Sequence, residues 1–282
     1  MGPEVSLSKR NNVLYCVIAI LLLCILLFPL YWMFVTSIKT EKEIFQIPPT
    51  FWPEVLNLKS YAAQLESGDF NMFQSFGNSL IISIGAMVIA VILAVPASYG
   101  IAKYHFKGRK SVVLVFLVTQ MLPVSVLLTP LFIMFKNLHL YNTVWSAILA
   151  DATIGIPFSV LILRNYFASI PKEMEEAAYI DGCNKFTAFM RVLIPIAKPG
   201  VIVCAIFSFL YAWGDLAYGM TFIIDQQKRP ITAGIFNFMG QYGTKWSYLS
   251  AFAIVTIIPV ALIFIFMQKY IITGMTSGAV KG

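Results

Sequence analysis

Six separate runs, each long and apolar enough to cross a lipid bilayer, constrain this chain more than any other feature. They cover residues 13–38, 76–104, 111–135, 142–166, 200–224 and 247–272. A crossing helix needs about 20 mostly apolar residues, because the hydrocarbon layer is about 30 Å thick and a helix rises about 1.5 Å per residue. The fold class that follows is all-α and polytopic, with six transmembrane helices in a single domain spanning 1–282. Composition agrees: 59% of the 282 residues are hydrophobic and 12% are charged, about half the charge of a soluble domain. The first run follows Lys9-Arg10 and at first resembles a secretion signal. It is too long for one and no small-residue cleavage site follows, so it reads as an uncleaved first span.

The net charge of +7 would suggest nucleic acid as a partner for a soluble protein. In a membrane chain it reflects the excess of Lys and Arg in cytoplasmic loops, so no nucleic acid is expected. Lys103, His105, Lys107, Arg109 and Lys110 cluster between runs two and three with no acid among them, which puts that loop in the cytoplasm. Six crossings then place both termini inside, together with thirteen of the twenty basic residues. Cys16, Cys24 and Cys204 lie in apolar runs, Cys183 lies in a polar loop, and His105 and His139 stand apart. None has metal-ligand spacing, so no metal site is expected. No repeat at a period of 20–50 residues is visible.

Two connections are long. The first, 39–75, faces outside and mixes Pro48, Pro49 and Pro53 with Phe51, Trp52, Tyr61, Phe70 and Phe73. Aromatics beside prolines predict an ordered segment at the membrane interface, serving as an anchor or as a contact for an external partner. The second, within 167–199, is cytoplasmic and reads PKEMEEAAYIDGCNKFTAFMRVLIPIAKPG from Pro171 to Gly200. Pro171 suits the first turn of a helix, and Glu173, Glu175 and Glu176 suit its positive end. Met174, Ala177 and Ala178 share one narrow face of small residues, suited to sinking into a groove. Asp181-Gly182 ends that helix. A second short helix follows, with Phe186, Phe189, Met190 and Leu193 on its apolar face, and Pro195 and Pro199 stop it before span five. Long ordered connections tend to be functional, and this one reads as a docking element for a soluble partner. The alternative is a pair of helices lying on the membrane surface. Acids near a negatively charged leaflet argue against it.

Polar groups inside spans are costly and are site candidates by default. Asp151 and Asp215 each lie nine residues from the outer end of their span, about 13 Å deep at about 1.5 Å per residue. Transporters often hold substrate near that depth. Gln120 is also near mid-depth, and Tyr211, Trp213 and Tyr218 flank Asp215. These residues are candidates for lining a translocation path. The local alternative is that Thr153, Gly155 and Pro157 break span four and that Asp151 caps the freed N–H groups.

The pattern Glu176-Ala177-Ala178, then Gly182, then Val192-x-Ile194-Pro195 resembles the signature loop of permease subunits of bacterial and archaeal ABC importers. Val and Ile stand where Ile and Leu are usual, and Cys183 where Ala is common. Gln120-Met121-Leu122-Pro123, Pro130-Leu131-Phe132, Asn142-Thr143 and Tyr211-Ala212-Trp213-Gly214-Asp215 are similar to the carbohydrate, maltose-type branch. Gly214 replaces a usual Asn. The tail 273–282, with Gly278 and Lys281, resembles the subunit whose C-terminus reaches between two ATPases.

The resemblance implies the type I importer permease fold in a bacterial or archaeal cell (inner) membrane. It implies a second homologous permease, two cytoplasmic ATPases and an extracytoplasmic substrate-binding protein. The cargo it implies is a di- or oligosaccharide. Glu173, Glu176, Ala177, Ala178, Asp181, Gly182 and Pro195 would form the ATPase-coupling loop. No G-x-x-x-x-G-K-[ST] loop occurs in the sequence, so ATP and Mg would sit on the partner and this chain would carry no cofactor and no catalytic residue. A glycerol-phosphate-type importer is the nearest alternative, and the acidic mid-span residues favour a neutral sugar over it. A carrier using Asp151 and Asp215 as ion sites is a further one, disfavoured by the docking loop. An integral membrane enzyme lacks support from any nucleophile–base pair or metal cluster.

Overall fold

The computed structural model describes residues 9–66, 71–240 and 243–279. Among the described residues twelve α-helices run in chain order: α1 Lys9–Ser37, α2 Glu41–Ile44, α3 Lys59–Glu66, α4 Met72–Lys103, α5 Arg109–Gln120, α6 Val124–Asn137, α7 Val144–Ser169, α8 Lys172–Ile180, α9 Lys185–Ala188, α10 Ile194–Gly214, α11 Ala217–Phe222 and α12 Trp246–Ala279. The only strands among the described residues are the paired β1 Met239–Gly240 and β2 Gly243–Thr244. Among the described residues five helices are long and apolar enough to span a membrane, and α5 with α6, bent by 101°, gives a sixth span if the pair is counted as one. The described chain divides into two compact units, Met1–Glu66 with Ile235–Val255, and Ser67–Gly234 with Thr256–Gly282.

In the first unit the connection after α1 is folded, as its composition predicts. Ser60 Oγ donates to Ser37 O at 2.8 Å, Asn57 N–H donates to Ile38 O at 2.9 Å, and Lys39 bonds Thr50 O. Glu43 is buried and accepts from Thr50 Oγ1 at 2.7 Å and Glu54 N–H at 2.9 Å. Phe51 and Trp52 stay exposed, which suits interfacial anchoring; Phe70 lies outside the described residues.

The second unit is built on α4 and α7. The buried positions of α4 include Ser75, Ser79, Ser83, Ala86, Ala90, Ala94 and Ser98, and α7 answers with Ala147, Ala150, Gly155 and Ser159. Small residues at this spacing let two backbones approach closely where lipid supplies no hydrophobic drive between helices. A side chain on Gly155 would come within 2.9 Å of Ser208 Oγ on α10, so glycine is required where α7 crosses α10. At one end of the unit Lys103 Nζ donates to Ile170 O at 2.7 Å, joining the ends of α4 and α7. At the other end Asn78 Nδ2 donates to Gln227 O at 2.7 Å.

Three expectations about the spans are corrected. First, 111–135 is not one straight helix. Pro123 lacks an N–H and disfavours helical backbone before it. Met121 and Leu122 therefore turn back onto Val118 O and Thr119 O, and the chain restarts at Val124. The bent pair still crosses the unit. It begins where α4 ends and finishes at Asn142, whose side chain accepts from Ile224 N–H at 3.0 Å and Asp225 N–H at 2.9 Å at the opposite end.

Second, α7 is not broken at Gly155 or Pro157. A proline removes a donor, so the group it frees is a carbonyl, which a carboxylate cannot satisfy. Asp151 accordingly caps nothing. Gln120 Nε2 reaches across from α5 and donates to Ile154 O at 3.0 Å.

Third, Pro195 and Pro199 do not stop a short helix. The spanning helix runs from Lys185 to Gly214. A π-helical turn over Phe189–Leu193, with Ile194 N–H bonded to Phe189 O, leads into Pro195 at the first turn of α10. The wider turn lets the helix continue past a residue without a donor. Span five also ends at Gly214, well before Ile224, and Asp215 lies in the break before α11.

Candidate functional site

The connection between α7 and the helix that begins at Lys185 is one ordered helix closed by a left-handed glycine. Pro171 stands just before α8 with extended backbone, and Glu173 and Glu175 fill the first turn, where negative charge is stabilised by the helix dipole. At the other end Gly182 has φ +83. Its N–H donates to Tyr179 O at 3.1 Å, and Cys183 N–H donates to Ala178 O at 2.9 Å. This pair of bonds is the Schellman arrangement, which needs a residue free to take positive φ. Asn184 then caps the next helix, its Oδ1 accepting from Thr187 N–H at 2.8 Å.

Two side chains hold α8 to the rest of the unit. Ala178 is buried, 5% exposed. Glu175 Oε1 accepts from Tyr99 Oη of α4 at 2.8 Å and from Tyr179 Oη at 2.6 Å. The Glu175 bond, then partial burial, push the Tyr179 phenol up to about 12. The expected groove-facing set therefore changes. Met174 and Ala177 are exposed, but Ala178 faces its own chain. Glu173, Glu176, Ala177, Asp181 and Ile180 are exposed, Ile180 at 87%. The apolar face after Gly182 also divides. Phe186 and Met190 are exposed, Leu193 is buried, and the half-buried Phe189 packs on Tyr99 with ring centroids 4.7 Å apart. A small cavity of about 160 Å³ lies under α8, lined by Lys103, Tyr104, Lys172, Glu175, Glu176 and Tyr179. Glu175 and Tyr99 were not among the sequence candidates. The i, i+4 spacing of Glu175 and Tyr179 was a readable signal; Tyr99 had none.

The mid-span candidates separate into groups. Asp151 is 2% exposed, and neither carboxylate oxygen has a hydrogen-bond partner; the buried hydroxyls of Ser83, Ser159 and Ser208 have none either. Asp215 is close enough for its charge to act on Asp151, and both charges reach Tyr211. Asp215 itself caps α11, accepting from Tyr218 N–H and Gly219 N–H at 3.0 Å each. Trp213 is buried between Phe76 and Phe209, and its indole N–H donates to Thr256 O at 3.1 Å. Gln120 is occupied with Ile154 O. Asp151, Asp215 and Tyr211 thus lie within electrostatic reach of one another, whereas Trp213 and Gln120 are turned to backbone partners. On the tail, α12 continues through Gly278 to Ala279, and Lys281 lies outside the described residues. Among the described residues no group of three metal-ligating side chains occurs.

Residues 86–277 match the family described as binding-protein-dependent transport system inner membrane component. This chain belongs to that family. The matched stretch holds α8, the Gly182 turn, Asp151 and Asp215. Family membership and the apolar helices make the chain a multi-pass membrane protein of the importer permease class, whose ATPase is a separate subunit. It is 34% identical over 259 residues to the probable ABC transporter permease protein YurM of Bacillus subtilis (strain 168), covering 90% of this chain and 84% of that one. It is 30% identical over 266 residues to the diacetylchitobiose uptake system permease protein DasC of Streptomyces coelicolor, covering 94% and 96%. The fold is shared with a chain of a bacterial ABC transporter that imports the acidic polysaccharide alginate: TM-score 0.78 at 23% identity, covering 94% of this chain and 98% of that one.

Proposed function

We propose that this chain is a transmembrane subunit of an ATP-driven importer for a di- or oligosaccharide and forms half of the translocation pathway. In this reading α8 seats in a groove of a cytoplasmic ATPase, with Glu176 as its charged contact and Glu173, Ala177, Asp181 and Gly182 completing the surface. A second, homologous permease supplies the other half of the path. A substrate-binding protein delivers cargo on the opposite side. ATP and Mg are held by the ATPase, and this chain does no chemistry. Both termini are cytoplasmic, which follows from the basic loop at 103–110 and six crossings.

The observation that carries the reading is the exposure of α8 combined with its attachment. Its outer face has no partner role within the unit's core, yet Glu175 ties it to Tyr99 of α4 at 2.8 Å. A push on α8 by a closing ATPase dimer would therefore reach a spanning helix directly. A saccharide cargo is supported by the diacetylchitobiose uptake named for DasC and by the absence of basic residues from the Asp151–Asp215–Tyr211 group. Such groups would offer hydrogen bonds to sugar hydroxyls. Trp213, packed away from it, would support the wall of the path.

The test is purification of the tagged chain from its native membrane in mild detergent, for wild type and Glu176→Ala/Gly182→Ala. The expected result is an ATPase that co-purifies with wild type and is lost from the variant, with a second permease retained in both. An ATPase indifferent to these changes overturns the docking role of α8. Uptake of labelled oligosaccharide into proteoliposomes of the complete transporter tests the cargo.

A further inference from the structure

A cavity of about 350 Å³ lies where α5 begins, lined by Arg109, Lys110, Val113 and Arg164. Three of its four walls are cationic. The only ion pair among the described residues is Lys228–Asp225, so no carboxylate of the described chain neutralises these three. Arg109 Nη2 bonds Ala102 O at 3.3 Å, which orients its guanidinium. Arg164 projects from α7 more than one turn before that helix ends, and its Nε is buried without an acceptor. A buried donor of this kind is uncommon, and a cation inside a span calls for a named counter-ion. The first turn of α5 adds to the positive potential. It has no acidic residue, and Gly108 before it offers no side-chain cap.

The surroundings indicate which anion. Val113 and Phe116 pack inward against the unit's core. Val112, Leu114, Val115, Leu117 and Val118 of the same helix are exposed. In a membrane chain such an apolar outer face suits acyl chains, and the cavity sits where it gives way to a cationic end. Guanidinium groups match phosphate oxygens in planar, forked pairs, and basic pockets between spanning helices suit lipid headgroups. We propose that Arg109, Lys110 and Arg164 bind the phosphate of an anionic phospholipid headgroup, with its acyl chains along the outer face of α5.

The test uses the complete transporter in nanodiscs of phosphatidylcholine with added phosphatidylglycerol, with retained phosphatidylglycerol counted by native mass spectrometry. Wild type should hold it through exchange. Arg164→Gln and Arg109→Gln should each weaken retention about tenfold, the scale of one charged hydrogen bond, and Arg164→Lys should fall between. Lys136→Gln, on α6, should change nothing. Equal retention in wild type and both Gln variants overturns the proposal. Inorganic phosphate bound in lipid-free detergent with the same dependence on Arg164 identifies a soluble anion and overturns the lipid source. Wild type alone provides a second reading, independent of folding of the variants. A phosphatidylglycerol analogue with a photoreactive headgroup should label the peptide carrying Lys110. Cross-linking of Lys110 to a partner subunit's carboxylate instead assigns the cavity to a protein contact and overturns the lipid.

Discussion

Tyr99 and Glu175 lie 76 residues apart in sequence, yet the Tyr99 hydroxyl donates to the Glu175 carboxylate at 2.8 Å. The bond joins the exposed helix α8 to the longest helix of the α4–α7 pair. A second hydroxyl, from Tyr179, shares the same oxygen at 2.6 Å, so the carboxylate is held from both sides.

Tyr99→Phe removes one of those two donors while keeping the ring that packs on Phe167 and Phe189. A hydrogen bond to a charged group contributes about 1.5–3 kcal/mol. The expected outcome is an assembled complex that still hydrolyses ATP but delivers less substrate per ATP, by several-fold. Simultaneous uptake and phosphate-release assays in proteoliposomes check this. Unchanged stoichiometry would show that force reaches α4 by another route.

Gly182→Ala places a Cβ at φ +83, where nothing crowds it but the backbone itself is strained. The cost is about 1–2 kcal/mol. The turn that closes α8 should loosen, and recovery of the ATPase on purification should fall. Gly182→Asn, which tolerates this conformation better, should recover most of it. Equal loss in both variants would point to side-chain volume at the ATPase surface rather than to backbone geometry.

Asp215 and Asp151 should respond in opposite ways. Asp215→Ala deletes the cap on α11, a change worth about 1 kcal/mol, and should lower the thermal unfolding midpoint of the purified complex. Asp151→Asn replaces a buried carboxyl that has no hydrogen-bond partner with a neutral group of the same shape and should leave that midpoint unchanged or raise it. If Asp151 contacts cargo, the same variant lowers uptake while remaining stable. A destabilised Asp151→Asn would instead reveal a partner group supplied by another subunit.

Acid should loosen the folded segment after α1. Burial pushes the Glu43 carboxyl up, but Glu54 N–H, the Thr50 hydroxyl and the charge of Lys39 together outweigh it and hold it below its ordinary value of 4.5. The folded value is the lower one, so the stabilisation is complete above 4.5 and is lost as pH falls through the folded value. Protection of residues 39–66 against an acid-active protease should therefore fall as the pH is lowered beneath 4.5. In Glu43→Gln it should be reduced at neutral pH and lose that step. A step of the same size in Glu43→Gln would assign the transition to another group.

Local signals in the sequence carried far. Asp181-Gly182 marked the end of α8 because a left-handed residue is a property of a few neighbouring peptides. The prolines marked the right positions but not their effects. Pro123 breaks a crossing by 101°, whereas Pro157 and Pro195 lie inside continuous helices. The difference lies in the local backbone: a π-helical turn precedes Pro195, and α7 keeps helical geometry through Pro157, whereas the chain at Met121 and Leu122 turns back before Pro123.

What the sequence by itself determined was the membrane, the apolar helices that cross it and the exposed loop. Apolar length, basic loops and helix caps each act within a few residues of their cause. Only the tertiary structure decided that Glu175 meets Tyr99, that Asp215 caps a helix while Asp151 stands unpartnered beside it, and that Arg109, Lys110 and Arg164 line one cavity. These pairings depend on which helix faces meet. In a bilayer that choice is made by close packing of small residues such as Gly155 against Ala90 and Ser208, because apolar surface gains little by leaving lipid for protein.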